Sequence, residues 1–458
     1  MQGIVQSLIK YLEREGINYD SFSLPHVKSY SMILWQELNL CHRFKNGKAY
    51  WKAACLTINS GIRETDKKGQ IDYGKVAEGV GNMREDILAP DINSSGTGFT
   101  VKGSDILYGL VAINGVNEEE ANKIIENRPY ASFADFRERC DISNKAIISL
   151  VKAGAFDSID SDRKRIAMEY IKDTTPLLKS LTTVQADSIV SNGLLPKELD
   201  KFVKFNSIRK DILSNKNMYK QINKTNAWYK ISDNNLTMLK SLGFALEYEF
   251  NDDGDMIVQK SKLQNTFKKQ TEPLNEFLKS KDALNTYNTM LLNKAWNSKF
   301  KGDYLEWQME AIRSYLGTAH GLDKYDLSYL PISDFNKLEE GKKIDDFKYE
   351  LSLVAGTVIS SNKDKHTISI LSKDGVIRCK LSKQMFGQYN YINSVQEGKS
   401  KTIIENSWFV AGTLVVLQGV KQGQVFYVKG YKSSSYPAIT KILGKNIEGK
   451  TIYRFGRE

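Results

Sequence analysis

The stretch that most constrains this chain runs from Leu107 to Phe136, LYGLVAINGVNEEEANKIIENRPYASFADF. Leu107, Leu110, Val111 and Ile113 read as a short apolar helix, Asn114-Gly115-Val116-Asn117 as a reversal, and Glu118-Glu119-Glu120 as the start of a second helix. Gly and Asn adopt left-handed backbone cheaply, so the chain can turn back within this short span. Acidic residues suit the positive end of a helix dipole. The pattern predicts a helix-hairpin-helix. Successive N–H groups beside a helix N-terminus form a site for phosphate, and a hairpin packed only for structure is the alternative. The expected contacts are the amides of Gly115, Val116 and Asn117, with Lys123 supplying charge.

A chain of 458 residues exceeds what one hydrophobic core organises, so several domains are expected. With 41% hydrophobic and 26% charged residues it can build those cores. No run approaches the roughly 20 apolar residues of a membrane span, and the opening MQGIVQSLIKYLERE carries acids that a secretory signal lacks. The expectation is a cytoplasmic protein with no membrane partner. A formal charge of +11 favours a polyanion, nucleic acid above all. The excess concentrates from Lys421 onward, where eight basic residues face two acidic ones. Cys41, Cys55, Cys140 and Cys379 lie far apart, and His26, His42, His320 and His366 are scattered. Neither set has metal-site or disulfide-framework spacing.

In chain order, Ile4, Val5, Leu8, Ile9 and Leu12 predict an amphipathic helix. Tyr30 to Leu40 and Ala49 to Thr57 predict two more, flanking a Lys45-Asn46-Gly47-Lys48 turn. The cluster Asn251-Asp252-Asp253-Gly254-Asp255 separates two β-prone runs and reads as a hairpin turn rather than a metal site. Residues 161–346 are Lys/Asn-rich and read as mostly helical.

Beyond them the period changes to that of strands: Leu351–Ser360, His366–Leu371, Val376–Leu381, Ser407–Leu417 and Gln424–Tyr431, with Lys373-Asp374-Gly375 as a turn. Five short strands predict an OB-fold barrel, a fold that binds single strands by stacking bases over a basic groove. Phe386, Tyr389, Tyr391, Phe426 and Tyr427 are the stacking candidates, although alternate strand positions face inward and part of the set is then core. Arg378, Lys380 and Lys383 are the phosphate candidates. The basic residues beyond Tyr431 read as a mobile tail adding salt-sensitive affinity.

These residues resemble a known family. Phe22, His26, Tyr30 and Trp35-Gln36 are spaced as at the end of the fingers domain of the bacterial DNA polymerase III alpha subunit, a C-family replicative polymerase. YWKAACLT, APDIN with FTV, YGL with INGVN, FADFRER and LVKAGAFD follow in that family's order. Met309 to Leu322 is similar to a later family segment. The resemblance implies five parts: the end of the fingers over 1–100, a helix-hairpin-helix domain over 101–160, a divergent helical region over 161–346, an OB-fold over 347–432 and a basic tail over 433–458.

It also implies a role in DNA replication, with primer-template duplex and single-stranded template as partners. His26 and Lys28 would belong to the fingers, although Leu24 and Pro25 depart from the family pattern there. Gln185, Asp187 and Ile189 lie where the family carries a sliding-clamp peptide, and Ser188-Ile189 replaces its usual apolar pair. The family's catalytic carboxylates precede the fingers. The resemblance therefore implies that magnesium and chemistry reside on a palm-bearing chain, with this chain inactive alone. A non-enzymatic DNA-binding accessory derived from a polymerase is the alternative.

Overall fold

The structure, a computed structural model, describes residues 24–43, 47–59, 71–221, 227–345, 348–397 and 400–457. The chain divides into two compact units: Met1–Ala167 together with Phe300–Glu458, and Met168–Lys299.

The first unit opens with neighbouring helices α1 (Leu24–Arg43) and α2 (Gly47–Asn59), longer than the periodic runs that announce them. The expected helix over Ile4–Leu12 and the turn residues Lys45 and Asn46 lie outside the described residues. Helix α3 (Tyr73–Asn82) begins at Asp72, whose side chain accepts from Gly74 N at 3.0 Å and Lys75 N at 3.1 Å. A small sheet follows, β1 (Ile87–Leu88), β2 (Thr100–Lys102) and β3 (Asp105–Leu107), in the order β1-β3-β2.

After it come a single 3-10 turn, Leu110–Ala112, and helices α4 (Glu118–Glu126), α5 (Phe133–Arg139) and α6 (Asn144–Ala153). The expected first helix of the hairpin is therefore one turn long and excludes Leu107. Tyr108 N donates to Leu88 O at 3.2 Å, which holds this stretch against the sheet. Tyr130, Phe133, Phe136 and Phe156 pack edge-on in the core beneath α5 and α6.

Helix α6 ends on Gly154 at φ 86°, where a Cβ would lie 2.2 Å from Arg163 Nη2. Arg163 starts α7 (Arg163–Thr174) and grips Asp157, Nε to Oδ1 at 2.8 Å and Nη2 to Oδ2 at 2.6 Å. The LVKAGAFD motif is thus a structural one: a left-handed cap, a close approach and a half-buried ion pair.

The second unit contains α8 (Ala186–Ser191), α9 (Asp200–Ile212), α10 (Asp233–Ser241), α11 (Lys260–Gln270), α12 (Glu272–Lys279) and α13 (Lys281–Lys299). Phe205, Leu263 and Leu274 are fully buried in its core. It is not purely helical. Strands β4 (Met218–Gln221), β5 (Ala227–Lys230), β6 (Glu249–Phe250) and β7 (Met256–Gln259) form a sheet in the order β4-β5-β7-β6. Asn251–Asp255 is the β6–β7 turn, with Gly254 at φ 81° and Asn251 Oδ1 accepting from Asp253 N and Asp255 N.

The first unit resumes with α14 (Tyr304–Ile312) and the barrel. Strands β8 (Ser352–Asn362), β9 (Thr367–Ser372) and β10 (Gly375–Lys380) precede helix α15 (Lys383–Asn390). A hairpin of β11 (Asn393–Glu397) and β12 (Ser400–Glu405) precedes β13 (Leu414–Gln422) and β14 (Val425–Val428). The ring closes as β8-β9-β10-β14-β13-β8, with β10 and β14 parallel and the other pairs antiparallel. Five strands with a helix between the third and fourth make an OB-fold. Lys373-Asp374-Gly375 supplies the β9–β10 turn. The fourth strand starts later than periodicity suggests, because Trp408 and Phe409 turn inward to plug the core.

The residues beyond Tyr431 overturn the expectation of a mobile tail. They fold as β15 (Ile439–Lys445) on β13 and β16 (Thr451–Phe455) on β15. Ile439 is fully buried, so apolar residues interleaved with the lysines anchor the segment.

Candidate nucleic-acid interface

The hairpin is docked rather than open. Asn114 N donates to Ala311 O at 2.8 Å at the end of α14, and Val116 N to Ile113 O at 3.1 Å. Beside it, burial raises the pKa of the Tyr73 hydroxyl, and the Gly115 backbone and Arg313 pull it back. Asn117 N donates to Glu120 Oε2 at 3.0 Å, and Asn117 Oδ1 accepts from Glu120 N at 2.9 Å, closing a capping box. Glu120 Oε1 accepts from Ser143 N at 3.0 Å, so this buried carboxylate joins the first turns of α4 and α6.

Of the amides of Gly115, Val116 and Asn117, expected to face phosphate, those of Val116 and Asn117 therefore have acceptors inside the chain. Val116 is buried. At the surface here stand Lys145, whose stem lies over Gly115, and Lys123, paired with Glu119 at 3.0 Å.

A second surface lies on the barrel. Register aligns two polar rows across β8, β9 and β10: Ser360, Ser369 and Arg378, then Asn362, Thr367 and Lys380. All six line a cleft of about 830 Å³, with Lys75, Arg313 and Lys365 adding charge and Asp72 and Glu78 opposing it. Helix α3 forms one wall. Arg313, at the end of α14, lies 5.5 Å from the centre of the Tyr73 ring, and the same helix end accepts the Asn114 amide at Ala311 O. The end of α14 thus ties the hairpin to the cleft.

The expected barrel residues separate accordingly. Arg378 and Lys380 line the cleft, the latter donating from Nζ to Lys365 O. Lys383 is exposed on the first turn of α15, and Tyr427 is half-buried on β14; neither lines the cleft. Tyr389 is a correction, and with it Phe386 and Phe426: all three belong to the barrel core, Tyr389 against Trp408 at 5.1 Å between ring centres. The amphipathic helix α15 turns those aromatics inward. Tyr391, just beyond it, is 61% exposed, and the adjoining Asn390 and Ile392 line the cleft.

Lys75, Glu78, Ser360 and Ser369 escaped the sequence reading. The alternation in TISILS was the available signal for Ser369, but helix α3 is linked to the barrel only by the fold.

The expected fingers residues His26 and Lys28 lie in the backbone of α1, and their side chains fall outside the described residues. The expected clamp peptide is folded into the second unit. Ile189 is 2% exposed within its core, Asp187 pairs with Lys210 at 2.7 Å, and Gln185 Oε1 accepts from Thr182. An apolar side chain already buried is not offered to a partner. Among the described residues no group of His, Cys, Asp and Glu could hold a metal ion, and no helix is long and apolar enough to cross a membrane.

A family model described as a helix-hairpin-helix motif matches residues 85–166. The chain is 31% identical over 451 residues to the probable DNA polymerase YorL of Bacillus subtilis, covering 91% of this chain and 33% of that protein. A DNA-directed DNA polymerase of Bacillus phage SPbeta matches with the same identity and coverage. The DNA polymerase III subunit alpha of Thermus aquaticus is 31% identical over 169 residues, covering 35% of this chain and 12% of the relative. The chain spans about a third, 33%, of the length of the first two relatives.

Proposed function

Because the chain is homologous to the C-terminal region of the DNA polymerase III alpha subunit, we propose that it is the DNA-holding part of a C-family DNA polymerase, acting in cytoplasmic DNA replication. The observation that carries this reading is the cation-lined cleft on an OB barrel, joined through the end of α14 to a helix-hairpin-helix. Single-stranded template lies in the cleft with phosphates against Lys365, Arg378 and Lys380, and Lys123 and Lys145 face the duplex backbone. A palm-bearing chain supplies the carboxylates and magnesium that activate the attacking and leaving oxygens of nucleotidyl transfer. Met32, Ile33, Leu34, Trp35 and Leu38, each 39–59% exposed around α1, offer that chain apolar surface.

Fluorescence anisotropy with single-stranded and primer-template DNA tests the reading. Binding at low salt that weakens steeply as salt rises is expected, and absence of binding at low salt would sink it. Primer extension by the purified chain with magnesium and all four nucleotides is expected to fail. Extension would show that no palm-bearing partner is needed.

A further inference from the structure

The cleft contains an anion already. Glu78, on the face of α3 turned to the barrel, accepts through Oε1 from Ser369 Oγ at 2.5 Å and Ser360 Oγ at 3.0 Å. Its Oε2 lies 3.4 Å from Arg378 Nη2. The three partners form one register row across β8, β9 and β10. Two hydroxyl donors and a guanidinium make a donor set suited equally to a carboxylate and to a phosphodiester.

Glu78 also divides the space. A second cavity of about 350 Å³, lined by Asn82, Ser372 and Val376, shares only Glu78, Ser369 and Arg378 with the larger cleft. With the carboxylate withdrawn, the two become one trough along the barrel face.

We propose that Ser360, Ser369 and Arg378 form a phosphodiester site that the Glu78 carboxylate occupies in the DNA-free protein, and that an entering strand displaces it. The proposal rests on the cleft being a DNA site. The exchange is of one anion for another on the same donors, so the buried Ser369 hydroxyl keeps a partner in both states. Glu78 thereby sets a threshold: a single free phosphate competes poorly with a tethered carboxylate, whereas a strand held by several flanking cations can drive it out.

The test is anisotropy titration of the full chain with labelled oligo-dT, for the wild type, Glu78→Gln, Arg378→Ala and the double variant, with thermal melts to verify folding. Gln keeps the size and the acceptor but not the charge. Glu78→Gln is expected to bind about tenfold tighter, and that gain is expected to vanish in the Arg378→Ala background. Wild-type affinity in Glu78→Gln, or the same gain without Arg378, overturns the proposal while leaving the cleft as a DNA site. Absence of binding by every folded variant removes the DNA reading and this site with it.

Discussion

Arg163 lies against Asp157, Nη2 to Oδ2 at 2.6 Å, and its guanidinium fills the space that a side chain on residue 154 would need. Arg163→Ala leaves the Asp157 carboxylate half-buried without its cation, and a loss of about 2–3 kcal/mol is expected. Gly154→Ala, strained by its φ of 86° as well as by the clash, is expected to cost at least as much. Urea unfolding measures both, and a change under half a kcal/mol in either would contradict the packing described.

Neighbouring tyrosines separate core from surface. Tyr389→Ala removes a ring packed on Trp408 and Phe409 and should cost about 3–5 kcal/mol of stability. Tyr391→Ala should leave the melting temperature nearly unchanged and weaken oligo-dT binding by about 1–3 kcal/mol if a base stacks there. The reverse pattern would show that the two roles are misassigned.

His320 predicts an acid limb in stability. Its Nδ1 accepts from Leu322 N at 3.0 Å, so the proton sits on Nε2 and is donated to Leu371 O at 2.9 Å. Burial pushes the imidazole down to about 4 from the usual 6.5, with Arg84 and Lys373 disfavouring and Asp323 favouring the charged form. The unfolded chain takes up this proton more readily than the native one. Stability from this site is therefore complete above about pH 6.5 and falls as pH drops toward 4, by up to about 3 kcal/mol. Chemical denaturation across that range should show a shallower decline in His320→Gln than in the wild type.

Cleft lysines should report through salt. Lys365→Ala and Lys75→Ala are each expected to lower the slope of log K against log salt by about 1 for single-stranded DNA. Slopes equal to the wild type's would place the strand elsewhere.

Truncation after Tyr431 removes β15 and β16 and uncovers the edge of β13. The expected result is a destabilised, aggregation-prone barrel, seen as a lower melting temperature and light scattering. A well-folded product that had lost only salt-dependent affinity would instead restore the idea of a loose basic tail.

What the sequence made legible follows from range. The strand periodicity of LSLVAGTVIS and the Lys373-Asp374-Gly375 turn are local, and the OB barrel could be read from them. The Asn117 cap and the Asn251–Asp255 turn are equally short-range. The docking of the hairpin was not legible, because the acceptor of the Asn114 amide is Ala311, far away in the chain. Strands of four residues, as in β4 and β5, carry too little alternation to stand out among Lys and Asn. The tail was misjudged by its charge, although Ile439 and Ile442, three residues apart, were the buried anchors.

The bond from the Asn114 side chain to Glu310 O spans 196 residues, and that separation has a consequence during synthesis. At ordinary elongation rates the turn must wait roughly 10–40 s for its partner to leave the ribosome. The intervening unit, Met168–Lys299, can settle on its own core before the hairpin locks. The order of birth thus runs from the inside of the chain outward, and a nascent polypeptide stalled before Glu310 would hold its insert folded and its hairpin undocked.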